Sequence, residues 1–313
     1  GVLFFRVFFG FTTGIGRPRP VMAFNLLGLL LKVPLNWVFM YGHFGLPAMG
    51  GAGCGWSTAV IMWTVATLAW AWCRRDAEYA PYDVFARFDP PRPAALRELL
   101  VLGLPMGATF MVDVTAFTFM ALFIARLGPE ISAAHQIAAN VAVFVFMVPI
   151  ALGNATGVLV GQALGAGESR RARHAGLLGL AVGCGVAAVV GGAIWLTAGP
   201  LARTYTTDAQ VAAAAATLLA IVAVYHVADA MQAVMAQVLR GYKRATAPMV
   251  IYAVSLWGVG LGGGYLLGLT DTLGPARGAA GFWIAAVASL SLAGAGVTGY
   301  FLWISRQSMP TPE

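Results

Sequence analysis

Eight apolar runs, each long enough to cross a bilayer as a helix, leave this chain very few folds. They lie at about 20–41, 52–72, 99–126, 132–160, 175–198, 211–238, 249–269 and 280–304. At 1.5 Å per residue, a helix needs about 20 apolar residues to cross the hydrocarbon. None of the runs alternates with period two, which argues against a transmembrane barrel. Hydrocarbon offers no partner to an unpaired peptide group, so each run must satisfy its own backbone as a helix. Charged residues make up 10% of the chain, where a soluble domain carries about 25%. The fold class is therefore all-α integral membrane, a polytopic helical bundle. Pro34, Pro105 and Pro149 fall inside runs, and 39 glycines are spread through the chain. Both fit kinked, closely packed membrane helices.

The charges between the runs orient them. A formal charge of +7 would suggest a nucleic-acid partner in a soluble chain; here its distribution points to a membrane instead. Arg17, Arg19, Arg74, Arg75, Arg87, Arg92, Arg97, Arg170, Arg171, Arg173, Arg240, Lys243, Arg244 and Arg306 fall on one set of alternate connections. Only Arg126, Arg203 and Arg277 fall on the other. Fourteen against three is a positive-inside asymmetry that puts the C-terminus in the cytoplasm. The localisation expected is the plasma membrane (the inner membrane of a bacterium), with many passes. Cys54, Cys73 and Cys184 sit in or at the ends of runs without a C-x-x-C pair. They read as small packing residues, with no disulfide framework and no metal site.

The chain also repeats itself in part. Pro20 is followed by Gly51-Ala52-Gly53-Cys54-Gly55-Trp56, and Pro248 by Gly278-Ala279-Ala280-Gly281-Phe282-Trp283, at nearly the same distance. Gly10-Phe11 and Gly241-Tyr242 precede the two prolines. Residues 1–72 therefore resemble the last half of residues 99–304 in the same orientation, as in transporters built from parallel repeats. The first apolar run, Val2 to Phe11, contains Arg6 and is too short to span, so it reads as the tail of a helix. A six-span repeat implies twelve spans in the intact protein, with roughly three and a half upstream of Gly1. Arg74 to Glu98 is charged and Pro-rich, and reads as a hinge between two bundles.

Sorting the twelve acidic residues isolates two. Ten lie in connections, at span ends or at the C-terminus; only Asp113 and Asp229 lie deep inside runs. Asp113 is roughly 20 Å of helix from Arg126, and Asp229 roughly 16 Å from Arg240, so both lie near the midplane. A carboxylate there costs about 2.5–3.5 kcal/mol even on the lenient insertion scale. On its helix Asp113 shares a face with Met106, Phe110, Phe117 and Met120; Asp229 shares one with Tyr225, His226, Gln232 and Ala236. Two readings follow. Each carboxylate holds a neighbouring helix by a hydrogen bond, or the two form a cation or proton site, alternating between charged and neutral forms or holding Na⁺ with hydroxyls and carbonyls. The second is preferred, and composition does not choose between the ions. The stripe of Phe110, Phe117, Met106 and Met120 is either packing or a plastic wall for flat cationic molecules, which Gln232 would also meet. Trp37, Tyr41, Trp70, Trp72, Trp195, Tyr205 and Trp303 lie near span ends and read as interfacial anchors. Lys32 snorkels or faces an aqueous cavity.

Other classes fit less well. Ser57 has no G-x-S-x-G frame, and H-E-x-x-H, a P-loop and a Cys/His cluster are absent from the sequence, so the chain does not read as an enzyme. A flippase for lipid-linked precursors would want basic residues in its cavity, where only Lys32 and Arg6 are candidates. A non-transporting scaffold would have no use for midplane acids.

The residues resemble one family. Arg17-Pro18-Arg19-Pro20, Pro34-Leu35-Asn36-Trp37, Gly50-Gly51-Ala52-Gly53-Cys54-Gly55, Leu102-Gly103-Leu104-Pro105 and Ala133-Ala134-His135-Gln136-Ile137-Ala138-Ala139-Asn140 stand in order with Val160-Gly161-Gln162-Ala163-Leu164-Gly165, Tyr225 with Asp229, and Leu239-Arg240-Gly241-Tyr242. Together they are similar to the multidrug and toxic compound extrusion (MATE) transporters, most closely the NorM-like branch. The resemblance implies two six-helix lobes around an alternating cavity. It implies export of cationic or amphiphilic compounds against Na⁺ or H⁺, with no cofactor beyond that ion, no nucleic acid and no obligate protein partner. Under it, residues 1–73 are the second half of the N-lobe, 74–98 the cytoplasmic linker, 99–305 a C-terminal lobe of six helices, and 306–313 a cytoplasmic tail. It also implies that the first three helices, including the one bearing the N-lobe acid, are not in this chain, and that the chain alone does not transport. The family's cation site falls on Asp113, Tyr225 and Asp229, with Asp113 standing where relatives usually carry Glu.

Overall fold

The computed structural model describes residues 1–45, 47–82 and 92–307. Eight of its helical spans are long and apolar enough to cross a membrane. In order the helices are α1 (Val2–Gly14), α2 (Pro18–Tyr41), α3 (Gly51–Arg75), α4 (Pro93–Ala125), α5 (Pro129–Gly165), α6 (Ser169–Tyr205), α7 (Ala209–Gly241), α8 (Thr246–Ala253), α9 (Gly263–Leu269) and α10 (Ala279–Gln307). A π-helical stretch, Val254–Gly262, joins α8 to α9, so Thr246–Leu269 forms one continuous span. Several helices outrun their apolar cores, because helix is as good a conformation in the headgroup layer as in hydrocarbon. The termini follow local chemistry. Proline opens α2, α4 and α5, where its missing N–H costs nothing. Asp208 caps α7 by accepting from the amides of Gln210 and Val211 at 2.8 and 3.2 Å.

The chain divides into two compact units, Gly1–Pro91 and Arg92–Glu313. In the first, Phe8, Val21 and Ala69 form a small core between α1, α2 and α3. Gly53 lets α3 meet the backbone of α2, since a Cβ there would lie 2.5 Å from the Phe39 carbonyl oxygen. Ser57 hydrogen-bonds Asn36, and Lys32 donates to Thr58, so the lysine inside this span is held by a hydroxyl on its neighbouring helix.

In the segment 74–98, read above as a hinge, Asp76 and Arg92 are extended and the other described residues are helical. Arg74 and Arg75 complete α3, Ala77–Tyr82 forms a 3₁₀ helix, and α4 begins at Pro93. Tyr79 is buried, its hydroxyl donating to Thr12 Oγ1 at 3.3 Å, and Arg17 pairs with Glu78 and with Asp76. The middle of the linker, residues 83–91 with Arg87, lies outside the described residues, as do residues 308–313 of the tail.

The second unit is built on α7. This helix packs against α5, α6 and α10, and its buried residues run from Val211 to Leu239. Glycines on its neighbours let the backbones approach: a Cβ on Gly191 of α6 would lie 2.5 Å from the Ala223 carbonyl oxygen, and one on Gly157 of α5 would lie 2.7 Å from that of Gln237. Between membrane helices such contact supplies the dispersion energy that hydrophobic burial cannot, because lipid is as apolar as the core. By contrast α4 buries only Ala116, Met120 and Ile124, in its second half, packing on α5, α8 and the π-helical stretch. The result is one deeply buried helix carrying Asp229 and one lightly packed helix carrying Asp113.

Candidate functional site

Both midplane carboxylates line one cavity of about 500 Å³ between α4, α5, α7 and α8. Helical phase explains how each arrives there. On α7, Tyr225, Asp229 and Gln232 are spaced four and three residues apart and form one stripe. That stripe faces the cavity, though all three residues are at most 7% exposed. On α4, Asp113, Phe117 and Ala121 repeat at four and line the opposite wall. The wall from α5 is supplied by His135, Gln136, Ala139 and Phe146 among others.

The polar groups are held by contacts that the sequence alone does not reveal. Tyr252 of α8 donates its hydroxyl to Asp113 Oδ1 at 2.6 Å. No hydrogen bond reaches the Asp229 carboxylate among the described residues, so it meets the cavity as an open acceptor. The Tyr225 ring stands edge-on to Trp283 of α10 at 5.4 Å, and the His135 ring lies 5.8 Å from the same indole. Trp283 is fully buried and fixes two cavity residues by packing alone. The buried Trp283 Nε1, His135 Nδ1 and both ring nitrogens of His226 have no hydrogen-bond partner among the described residues. Chemically the cavity offers two carboxylates, two phenols, an imidazole, two amides and aromatic faces. No Lys or Arg among the described residues lines it. That set suits a cation.

Of the residues read from sequence, the structure brings Asp113, Asp229, Tyr225, Phe117 and Gln232 to this one cavity. Three others stand elsewhere. Phe110 is 69% exposed on the outside of α4. Met120 is packed into the core beside Ala116 and Ile124. Met106 lines a separate, very small space of about 10 Å³ with Thr109, Gln232, Ala236 and Arg240. At about 100° per residue the cavity-lining residues of α4, from Asp113 to Ala121, turn away from Met120 to one side, and Met106 and Phe110 lie one or two turns before them along the helix. The sequence reading missed Tyr252, Gln136, Phe146 and the cavity position of His135. Tyr252 carried a usable signal: a tyrosine inside an apolar span needs a partner for its hydroxyl. Trp37, Tyr41, Trp70, Trp72, Trp195, Tyr205 and Trp303 are all exposed, and Tyr205 also donates to Asn140 at 3.0 Å.

Comparison with known proteins gives a consistent result. The model of the MatE family matches residues 105–266. A probable multidrug resistance protein NorM from Aromatoleum aromaticum is 38% identical over 316 residues, covering 100% of this chain and 67% of that protein. Multidrug resistance protein PmpM from Pseudomonas aeruginosa is 39% identical over 281 residues, covering 90% of this chain and 59% of that protein. Among solved structures, a MATE crystal structure in the bent conformation shares the fold with a TM-score of 0.86 at 19% identity, over 97% of this chain and 66% of that one. The chain spans about two thirds of the length of the curated relatives it matches.

Proposed function

Because the chain belongs to the MatE family of membrane transporters, we propose that it exports cationic or amphiphilic compounds in exchange for Na⁺ or H⁺. The observation that carries this reading is the convergence of Asp113 and Asp229 on one cavity of about 500 Å³. Two carboxylates at membrane depth are costly, and a shared cavity gives that cost a use. In this reading Asp113, Asp229 and Tyr225 form the cation or proton site, while Phe117, Phe146 and Gln232 contact the exported compound. A flat cation gains cation–π attraction from the rings and Coulomb attraction from the carboxylates. Ion and compound compete for the same carboxylates, so binding one releases the other, and occupancy in turn couples their movements. No cofactor beyond the ion and no obligate protein partner is required.

The arginine-rich connections support a cytoplasmic C-terminus. In that orientation the cavity residues of α4 run outward from Asp113 near the midplane to Ala121, and those of α5 inward from His135 to Phe146. The space on the inner side, between Met106, Gln232 and Arg240, is only about 10 Å³. In the same reading residues 1–73 are the second half of an N-lobe and 99–305 a C-lobe. A lipid-phosphate cargo fits less well, since no Lys or Arg among the described residues lines the cavity.

The test is dye efflux from proteoliposomes holding the full-length protein, with a Na⁺ gradient and a pH gradient imposed separately. Asp113→Asn and Asp229→Asn are each expected to abolish ion-dependent efflux while the protein is still made and inserted. Wild-type efflux in both variants would remove this mechanism.

A further inference from the structure

The helix across the cavity from α7 holds α4 at two consecutive residues. Tyr252 donates to the Asp113 carboxylate at 2.6 Å, and Trp257 Nε1 points at the Val112 carbonyl at 3.4 Å. The Trp257 ring also meets Phe119 of α4 edge-on at 5.9 Å. Tyr252 is 6% exposed, so its hydroxyl has little water to turn to and the bond to Asp113 is its main satisfaction.

The two contacts depend on an irregularity in the backbone. Residues five apart on an α-helix point about 140° away from each other, so Tyr252 and Trp257 would not both reach α4. Helix α8 ends at Ala253, and the nine residues Val254–Gly262 are wound as a π-helix. Tyr252 lies on α8 just before this stretch, so the wider winding from Val254 to Trp257 narrows the angle between the two side chains without removing it. π-Helical turns are rare and cluster at functional sites. Here the turn has a local purpose: it aims the Trp257 indole at the carbonyl of Val112, next to the aspartate that Tyr252 of α8 holds.

We propose that Tyr252 is a positioning residue for Asp113, and that Tyr252 and Trp257 together clip the π-helical span onto α4 at the level of the ion site. This rests on the reading of Asp113 as part of that site. The phenol occupies Oδ1 and leaves Oδ2 without a hydrogen bond among the described residues, fixing the carboxylate plane while one oxygen stays open to a cation. Aspartate is one methylene shorter than glutamate and has less reach of its own, so a fixed donor on the neighbouring helix sets where its charge stands. The other titratable groups on the cavity are Tyr225 and Asp229 from α7 and His135 from α5, and none of them bonds Asp113. Tyr252 is therefore the group that orients this carboxylate.

Two measurements test this on purified full-length protein. In proteoliposomes, Tyr252→Phe is expected to raise the ion concentration for half-maximal dye efflux about tenfold, with the maximal rate within about twofold of wild type. Trp257→Phe, which leaves the carboxylate bond in place, should shift it about threefold or less. Hydrogen exchange, read by mass spectrometry without any transport, should speed up severalfold in peptides covering 110–116 and 250–262 in both variants. Unchanged exchange in both segments would overturn the clip. Faster exchange with an unshifted ion dependence in Tyr252→Phe would overturn the positioning role and leave a packing contact. Absence of ion-coupled efflux in wild type would count against the transport reading, while the exchange measurement would still decide the clip.

Discussion

Replacing Gly191 by alanine should loosen the helix pair that positions the proposed ion site, and the neighbouring glycine supplies the control. A Cβ on Gly191 would lie 2.5 Å from the carbonyl oxygen of Ala223, while one on Gly192 would have nothing within 4 Å. The obstacle is backbone, which cannot rotate away as a side-chain tip can. Reaching an ordinary contact near 3.4 Å requires α6 and α7 to part by about 0.9 Å. Overpacking of this kind costs about 1–3 kcal/mol. Both substitutions gain about 1 kcal/mol from the better helix propensity of alanine. Gly192→Ala should thus be stabilising by up to about 1 kcal/mol, and Gly191→Ala should fall about 1–3 kcal/mol below it. Because Ala223 lies two residues before Tyr225 on α7, the displacement passes to Tyr225 and Asp229. A shift near 1 Å at a binding constellation is large enough to weaken it markedly. Thermal unfolding of the purified variants, alongside their ion dependence of efflux, checks both halves. Equal stability of the two variants would refute the backbone-contact argument.

Two further expectations concern contacts that hold α7 at its ends. Asp208→Ala removes the acceptor for two amides at the start of the helix and should cost about 1 kcal/mol in thermal unfolding, with Asp208→Asn or Asp208→Ser recovering most of it. Gln237 accepts from Arg240 at 2.6 Å and donates to Asn154 at 2.5 Å. Gln237→Ala leaves the guanidinium without that acceptor and should cost about 1–3 kcal/mol, more than Asn154→Ala, which keeps the arginine bond. The reverse order would refute the account.

The spans were legible because the hydrocarbon imposes a length and a polarity on each segment separately. All eight apolar runs lie within helices long enough to span. Asp113 and Asp229 were legible for the same reason: a charge deep in a run stands out in one dimension. Less was visible on α4. Phe110, Phe117, Met106 and Met120 share a helical face with Asp113, yet only Phe117 reaches the cavity with it. Their chemistry is alike, and pattern alone does not say which part of an apolar face meets lipid and which meets protein. The 3₁₀ turn at 77–82, inside the segment 74–98 read as linker, was not legible: Tyr79 docks on Thr12, and Arg17 binds Glu78 and the neighbouring Asp76. Those partners lie more than 55 residues away in sequence.

The sequence by itself determined a helical membrane fold, the eight spans seen among the described residues and the two carboxylates that lie deep inside them, because lipid tests every segment on its own. Only the tertiary structure decided that those carboxylates share one cavity, that Trp283 braces Tyr225 and His135, and that Tyr252 reaches Asp113 beside a π-helical turn. The physical reason is that lipid and protein interior are almost equally apolar. Hydrophobic pattern does not say which face of a membrane helix turns toward which neighbour. That choice is made by close contact at small residues such as Gly191 and by the few polar groups that must find a partner.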